Sequence, residues 1–159
     1  MAPPPVGTQF YQFQTKSATA AVSNQWLALK TGSTSYTLAP TQAAATKFFL
    51  NKYASTGTYA VHNSDDTRQV ALQGPNGVLL SLVDATNPRG DTIPGGMLME
   101  WATFTTEGDV LGVRDGSTLT NRTWVAVKGS ETDYGVALYD GASTTTASIT
   151  PVTINLVKV

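Results

Sequence analysis

Cysteine is absent from the chain, which removes disulfides, thiolate metal sites and a cysteine nucleophile together. Charge is scarce as well. Only 13% of the residues are Asp, Glu, Lys or Arg and the formal net charge is −1, below what a nucleic-acid-binding surface or a disordered chain requires. Neither nucleic acid nor an anionic membrane surface is an expected partner. No apolar run is long enough to cross a bilayer, so membrane insertion is not expected. The opening Met1-Ala2-Pro3-Pro4-Pro5-Val6 has neither a basic region nor an apolar stretch of signal-peptide type, and a cytoplasmic location is the expectation. The sequon Asn121-Arg122-Thr123 has meaning only in a secreted chain. With one histidine and no convergent acid, base, nucleophile or metal ligands, the chain is expected to bind rather than catalyse, without a cofactor or metal.

What is present is β-sheet chemistry in a regular order. Hydrophobic residues make up 41% of 159 positions, enough for one core in one domain spanning residues 1–159. A glycine, one or two polar residues and an apolar strand recur at Gly7, Gly57 and Gly108, spaced 50 and 51 residues apart. A second pattern runs in phase with it: Leu27-Ala28-Leu29-Lys30, Val70-Ala71-Leu72-Gln73 and Val125-Ala126-Val127-Lys128. Each is followed by a glycine and then by a hairpin partner, at Tyr36-Thr37-Leu38, Val78-Leu79-Leu80 and 134–138. Fourth strands are predicted at 47–50, 99–104 and 152–159, giving about twelve strands in three sets of four. Only 41–46 has weak helical character. A threefold repeat is too short for a propeller and has no counterpart in a sandwich. It predicts an all-β chain folded as a β-trefoil, a pseudo-threefold barrel capped by three hairpins, with four-stranded units at about 7–56, 57–107 and 108–159.

On these patterns the chain resembles the β-trefoil superfamily over nearly its whole length. The stretch Met99-Glu100-Trp101-Ala102-Thr103-Phe104, leading to Gly108, is similar to the ricin-B-type lectin signature Gln-x-Trp, with Met99 in place of Gln. The first unit offers Thr46-Lys47-Phe48 there, and the third has no aromatic equivalent. Leu111-Gly112-Val113-Arg114-Asp115-Gly116 resembles the ricin-B stretch that carries a sugar-binding Asp, with Gly112 at that position. Fungal defence proteins without cysteines, both lectins and protease inhibitors, share this look. The resemblance implies glycans or glycoproteins as partners, or alternatively a protease, and allows a homodimer.

Three groups of residues are candidates for a site. Trp26 and Trp124 each precede an apolar-Ala-apolar strand, and alternation puts them opposite Leu27 and Val125. They either stack on a pyranose, with Asn24, Asp115, Ser117 and Asn121 as hydroxyl partners, or cover barrel ends. Gln69 takes the tryptophan's place in the second unit. The run His62-Asn63-Ser64-Asp65-Asp66 is too local to form a catalytic triad and reads as a turn, with Asp65 and Asp66 open to a polar ligand. The loop 85–96 contains Asn87, Pro88, Arg89 and Asp91, and proline stiffening suits an inhibitory loop that enters a protease. The leading expectation is a carbohydrate-binding protein with shallow sites, and the alternative is a protease inhibitor acting through 85–96.

Overall fold

The computed structural model describes residues 4–86, 88, 93–129 and 132–159. Among them are fourteen strands: β1 (Tyr11–Lys16), β2 (Trp26–Leu29), β3 (Tyr36–Ala39), β4 (Phe48–Tyr53), β5 (Thr58–Asn63), β6 (Arg68–Gly74), β7 (Leu79–Thr86), β8 (Leu98–Glu100), β9 (Phe104–Thr105), β10 (Gly112–Val113), β11 (Thr123–Lys128), β12 (Tyr134–Tyr139), β13 (Ile149–Pro151) and β14 (Thr153–Lys158). Helix is confined among the described residues to three short 3-10 turns, Ala20–Val22, Gln42–Ala44 and Glu107–Asp109. The predicted second and third strands fall on β2, β3, β6, β7, β11 and β12. Of the predicted fourth strands, 47–50 falls on β4 and 152–159 on β14, whereas 99–104 is broken into β8 and β9, and an additional strand, β13, precedes β14. Pro151 has no N–H for the ladder, and the next N–H, that of Val152, turns to the Trp124 carbonyl at 2.9 Å.

Eight strands close an antiparallel barrel in the order β1, β2, β3, β12, β7, β6, β5, β4 and back to β1. The others attach outside this ring: β14 to β1, β11 to β12, β13 to β11, β9 to β5, β10 to β9 and β8 to β6. One set of pairings recurs. Tyr11 faces Phe48, Tyr59 faces Phe104, and Val110 faces Asn155. The strands β4, β9 and β14 then pair with β5, β10 and β1. The hairpin strands β3, β7 and β12 meet one another through Thr37–Gly135, Leu80–Leu138 and Ser35–Val83.

The register places alternate residues on one face of each strand, and those facing inward make the core. Phe13 stacks on Phe48 at 4.9 Å, and Tyr36 meets Phe48 edge-on at 5.7 Å. Leu27, Val61, Leu72, Leu82, Phe104 and Ile154 are fully buried around them. The buried Tyr36 hydroxyl donates to Asp84 Oδ1 at 3.3 Å, and Asp84 is ion-paired with Arg68. Burial, followed by the Asp84 charge, pushes the Tyr36 phenol far above its usual range, so this hydroxyl stays protonated.

Candidate functional site

The loop between β10 and β11 folds through side-chain contacts to its own backbone. Asp115 Oδ1 accepts the Ser117 N–H at 3.1 Å, and Ser117 Oγ accepts the Leu119 N–H at 3.1 Å, two turns of the kind Asp and Ser favour. Arg122 then grips Asp115 with both guanidinium nitrogens, Nη1 to Oδ2 at 2.9 Å and Nη2 to Oδ1 at 2.8 Å. Such a two-pronged pair fixes geometry better than a single ion contact. At the far end of the loop, the backbone of Asn121 passes close to Gly141. A Cβ on Gly141 would lie 2.1 Å from the Asn121 carbonyl oxygen, and its φ of +80° is one that glycine adopts freely.

Opposite this loop lies β8, paired with β6 through Leu72–Glu100, Gln73–Met99 and Gly74–Leu98. Between loop and strand is a cavity of about 280 Å³. Its polar lining is Glu100, Asp115, Ser117 and Arg122 and its apolar lining Leu80, Leu98, Met99 and Leu119, with β8 and the loop each supplying both kinds. Leu98 and Leu119 are 53% and 47% exposed. Desolvation, and then the proton it shares with Asp115, raises the Glu100 carboxyl to about 7. Near neutral pH it therefore carries a proton part of the time and donates it to Asp115. Its Oε1 is buried with no hydrogen-bond partner among the described residues. The Arg122 hydrogen bonds hold Asp115 down at about 2, and Asp115 in turn raises the Arg122 guanidinium. The other arginine of this region, Arg114, instead donates to the Thr56 and Gly57 carbonyls at 3.2 and 3.3 Å.

Of the residues expected from sequence, Asp115 and Ser117 meet in this cavity. The two tryptophans do not, and an exposed stacking indole is a corrected expectation. Trp26 and Trp124 are 8% and 7% exposed. Trp124 Nε1 donates to the Leu111 carbonyl at 2.9 Å, which ties β11 to the start of β10. Trp124, Val125 and Ala126 are buried in succession because both faces of β11 are covered, so alternation along it has no solvent side. Trp124 instead borders a smaller cavity of about 170 Å³ that shares Arg122 with the first. Asn24, exposed at φ +59°, accepts from Lys16, and Asn121 is exposed outside the main cavity.

Asp65 and Asp66 serve the turn between β5 and β6. Asp65 accepts from the Thr67 N–H at 3.1 Å and the Thr67 hydroxyl at 2.6 Å. Asp66 Oδ1 lies 2.6 Å from His62 Nδ1, and the buried His62 ring stacks on Phe49 at 4.9 Å. No group of His, Asp and Glu able to hold a metal occurs among the described residues. Asn87, Arg89 and Asp91 of the proposed inhibitory loop lie outside the described residues, and Pro88 is buried.

The position matched to a sugar-binding Asp in ricin-B units has a steric reason to be glycine. A Cβ on Gly112 would come within 2.5 Å of Thr105 Oγ1, across the β9–β10 pairing. Sequence reasoning did not single out Glu100 or Arg122. Glu100 is the unspecified middle residue of the Gln-x-Trp-like stretch, and Arg122 is the middle residue of the sequon. Comparison of the chain with protein-family models, with curated proteins and with solved structures gives no match.

Proposed function

We propose that this chain is a carbohydrate-binding protein of β-trefoil architecture, acting by binding rather than catalysis, with its glycan site in the cavity between β8 and the 114–122 loop. The trefoil reading is supported by the pairings that recur three times, in phase with the repeats at Gly7, Gly57 and Gly108. The glycan reading is carried by one observation, the mixed polar and apolar lining of the cavity. The side chains of Leu98, Leu119 and Met99 suit the C–H groups of a pyranose, and the carboxyls of Glu100 and Asp115 with the Ser117 hydroxyl suit its hydroxyls. Arg122 sets Asp115 in place before any ligand arrives, which lowers the ordering cost of binding. A cavity this small holds about one sugar residue, so each site binds weakly and gains strength from multivalent display.

A glycan array probed with the purified protein tests this. The wild type is expected to select specific glycans, and the double variant Leu98→Ala/Leu119→Ala to lose about tenfold or more in affinity, since both side chains are exposed and only the apolar lining is shortened. Undiminished binding by the variant would remove the site assignment. Silence of the wild type on the array, with nanomolar inhibition of a serine or cysteine protease, would move the function to the 85–96 loop.

A further inference from the structure

The barrel end near Gly7, Gly57 and Gly108 is unevenly closed. Tyr11 and Tyr59 occupy matching places, each opposite a buried phenylalanine on the inward face of its ladder. The third matching place is Val110, opposite Asn155, and it brings no ring. Val110 is 41% exposed, and the residues before it form the 3-10 turn Glu107–Asp109 instead of continuing a strand. A cavity of about 260 Å³ remains there, walled by Tyr11, Tyr59, Leu50 and Leu156 and edged by Thr106 and Asp109.

The chemistry of this lining is one-sided. No Lys, Arg or His lines the cavity, and no cation pairs with Asp109 among the described residues. Two of the edge donors, those of Thr8 and Gln9, are already engaged with the backbone. Thr8 Oγ1 donates to Pro5 O at 2.6 Å, and Gln9 Nε2 donates to Phe10 O at 2.8 Å and Val159 O at 3.4 Å. The only formal charge is thus a carboxylate beside two phenol rings. An anion would meet Asp109 with no positive charge in the lining to offset it. A cation gains from the carboxylate and from the negative faces of the rings together. The volume lies below that of sites for drug-sized ligands, which limits the guest to a small head group.

We propose that this cavity binds a small alkylammonium ion, with Asp109 as its counter-ion and Tyr11 and Tyr59 as its aromatic walls. The site shares no lining residue with the proposed glycan cavity and does not depend on that reading.

The test is titration of the full chain with choline chloride and with 3,3-dimethyl-1-butanol, its uncharged counterpart, followed by the NMR shifts of the tyrosine rings. Choline is expected to saturate the site and the alcohol to bind about tenfold or more weakly. Asp109→Asn should weaken choline about tenfold without moving the melting temperature, because Asn tolerates the φ of +59° found there as Asp does. Tyr59→Phe keeps the ring and should keep binding, whereas Tyr59→Leu should lose it. Equal binding of the two probes, no binding of choline, or an Asp109→Asn variant that binds choline as the wild type does would each overturn the proposal.

Discussion

Glu100 is the residue at which the charge state of the proposed glycan cavity is set. The folded chain holds its proton up to about 7, whereas an ordinary glutamate releases it near 4.5. Its stabilising share is complete below that lower value and is lost as the pH rises through about 7. Asp115 behaves in the opposite way, with a share present above 3.8 and lost as the pH falls through about 2. Between mildly acidic and mildly basic conditions, only Glu100 of the two titrates. Glu100→Gln keeps a donor toward Asp115 at every pH. Urea midpoints at about pH 5 and about pH 8 should therefore show the variant gaining on the wild type as the pH rises. A difference that does not change with pH would mean that Glu100 titrates in the folded chain as it does in the unfolded one. Asp115 and Ser117 were named from sequence as neighbours of Trp124, and the structure gathers the two in the cavity without it. Glu100 and Arg122 were not legible from sequence, since they reach the cavity from a neighbouring strand and from the end of an irregular loop, where no period marks which residues converge.

Among the elements, β10 shows how a sequence position can be settled by its neighbour. It has two residues, and Gly112 sits across from Thr105 with no room for a side chain. Gly112→Ala should cost about 1–3 kcal/mol, the usual penalty for overpacking. Adding Thr105→Ala removes the hydroxyl that the new methyl would strike and should restore at least half of the loss. Equal urea midpoints for the single and double variants would place the strain elsewhere. The element-level reading of β11 was half right for a related reason. Its residue pattern identified the strand and its hairpin with β12, but alternation distinguishes two faces without saying which meets water. With β12 on one edge, β13 on the other and both faces covered, neither face does so at Trp124.

For the whole molecule, closure depends on pairing the two ends of the sequence. The strand β14 lies along all six residues of β1 and contributes Ile154 and Leu156 to the core. Loss of either side chain alone would cost about 2–5 kcal/mol, against a total stability of about 5–15 kcal/mol for a typical domain. A chain ending at residue 152 should therefore lose its cooperative urea transition. A retained transition with an unchanged slope would show that the barrel stands without β14. The all-β class and the hairpins were legible because a repeat of about 50 residues brings the same strand pattern round three times. The splitting of 99–104 into β8 and β9 and the extra strand β13 before β14 were not, because they depend on which neighbouring strand each short segment meets.

Ring closure also bears on how the protein behaves at high concentration. A chain so rich in short apolar strands would be prone to sheet-to-sheet association if long strand edges lay open. Among the described residues, the strands with a single ladder partner are β8, β10 and β13, of three, two and three residues, and β14, whose outer side meets Val110 and Leu111. None offers another molecule a template long enough to extend. Weakly charged as the chain is, the shortness of these edges and the cover on β14 are the features that would oppose such association.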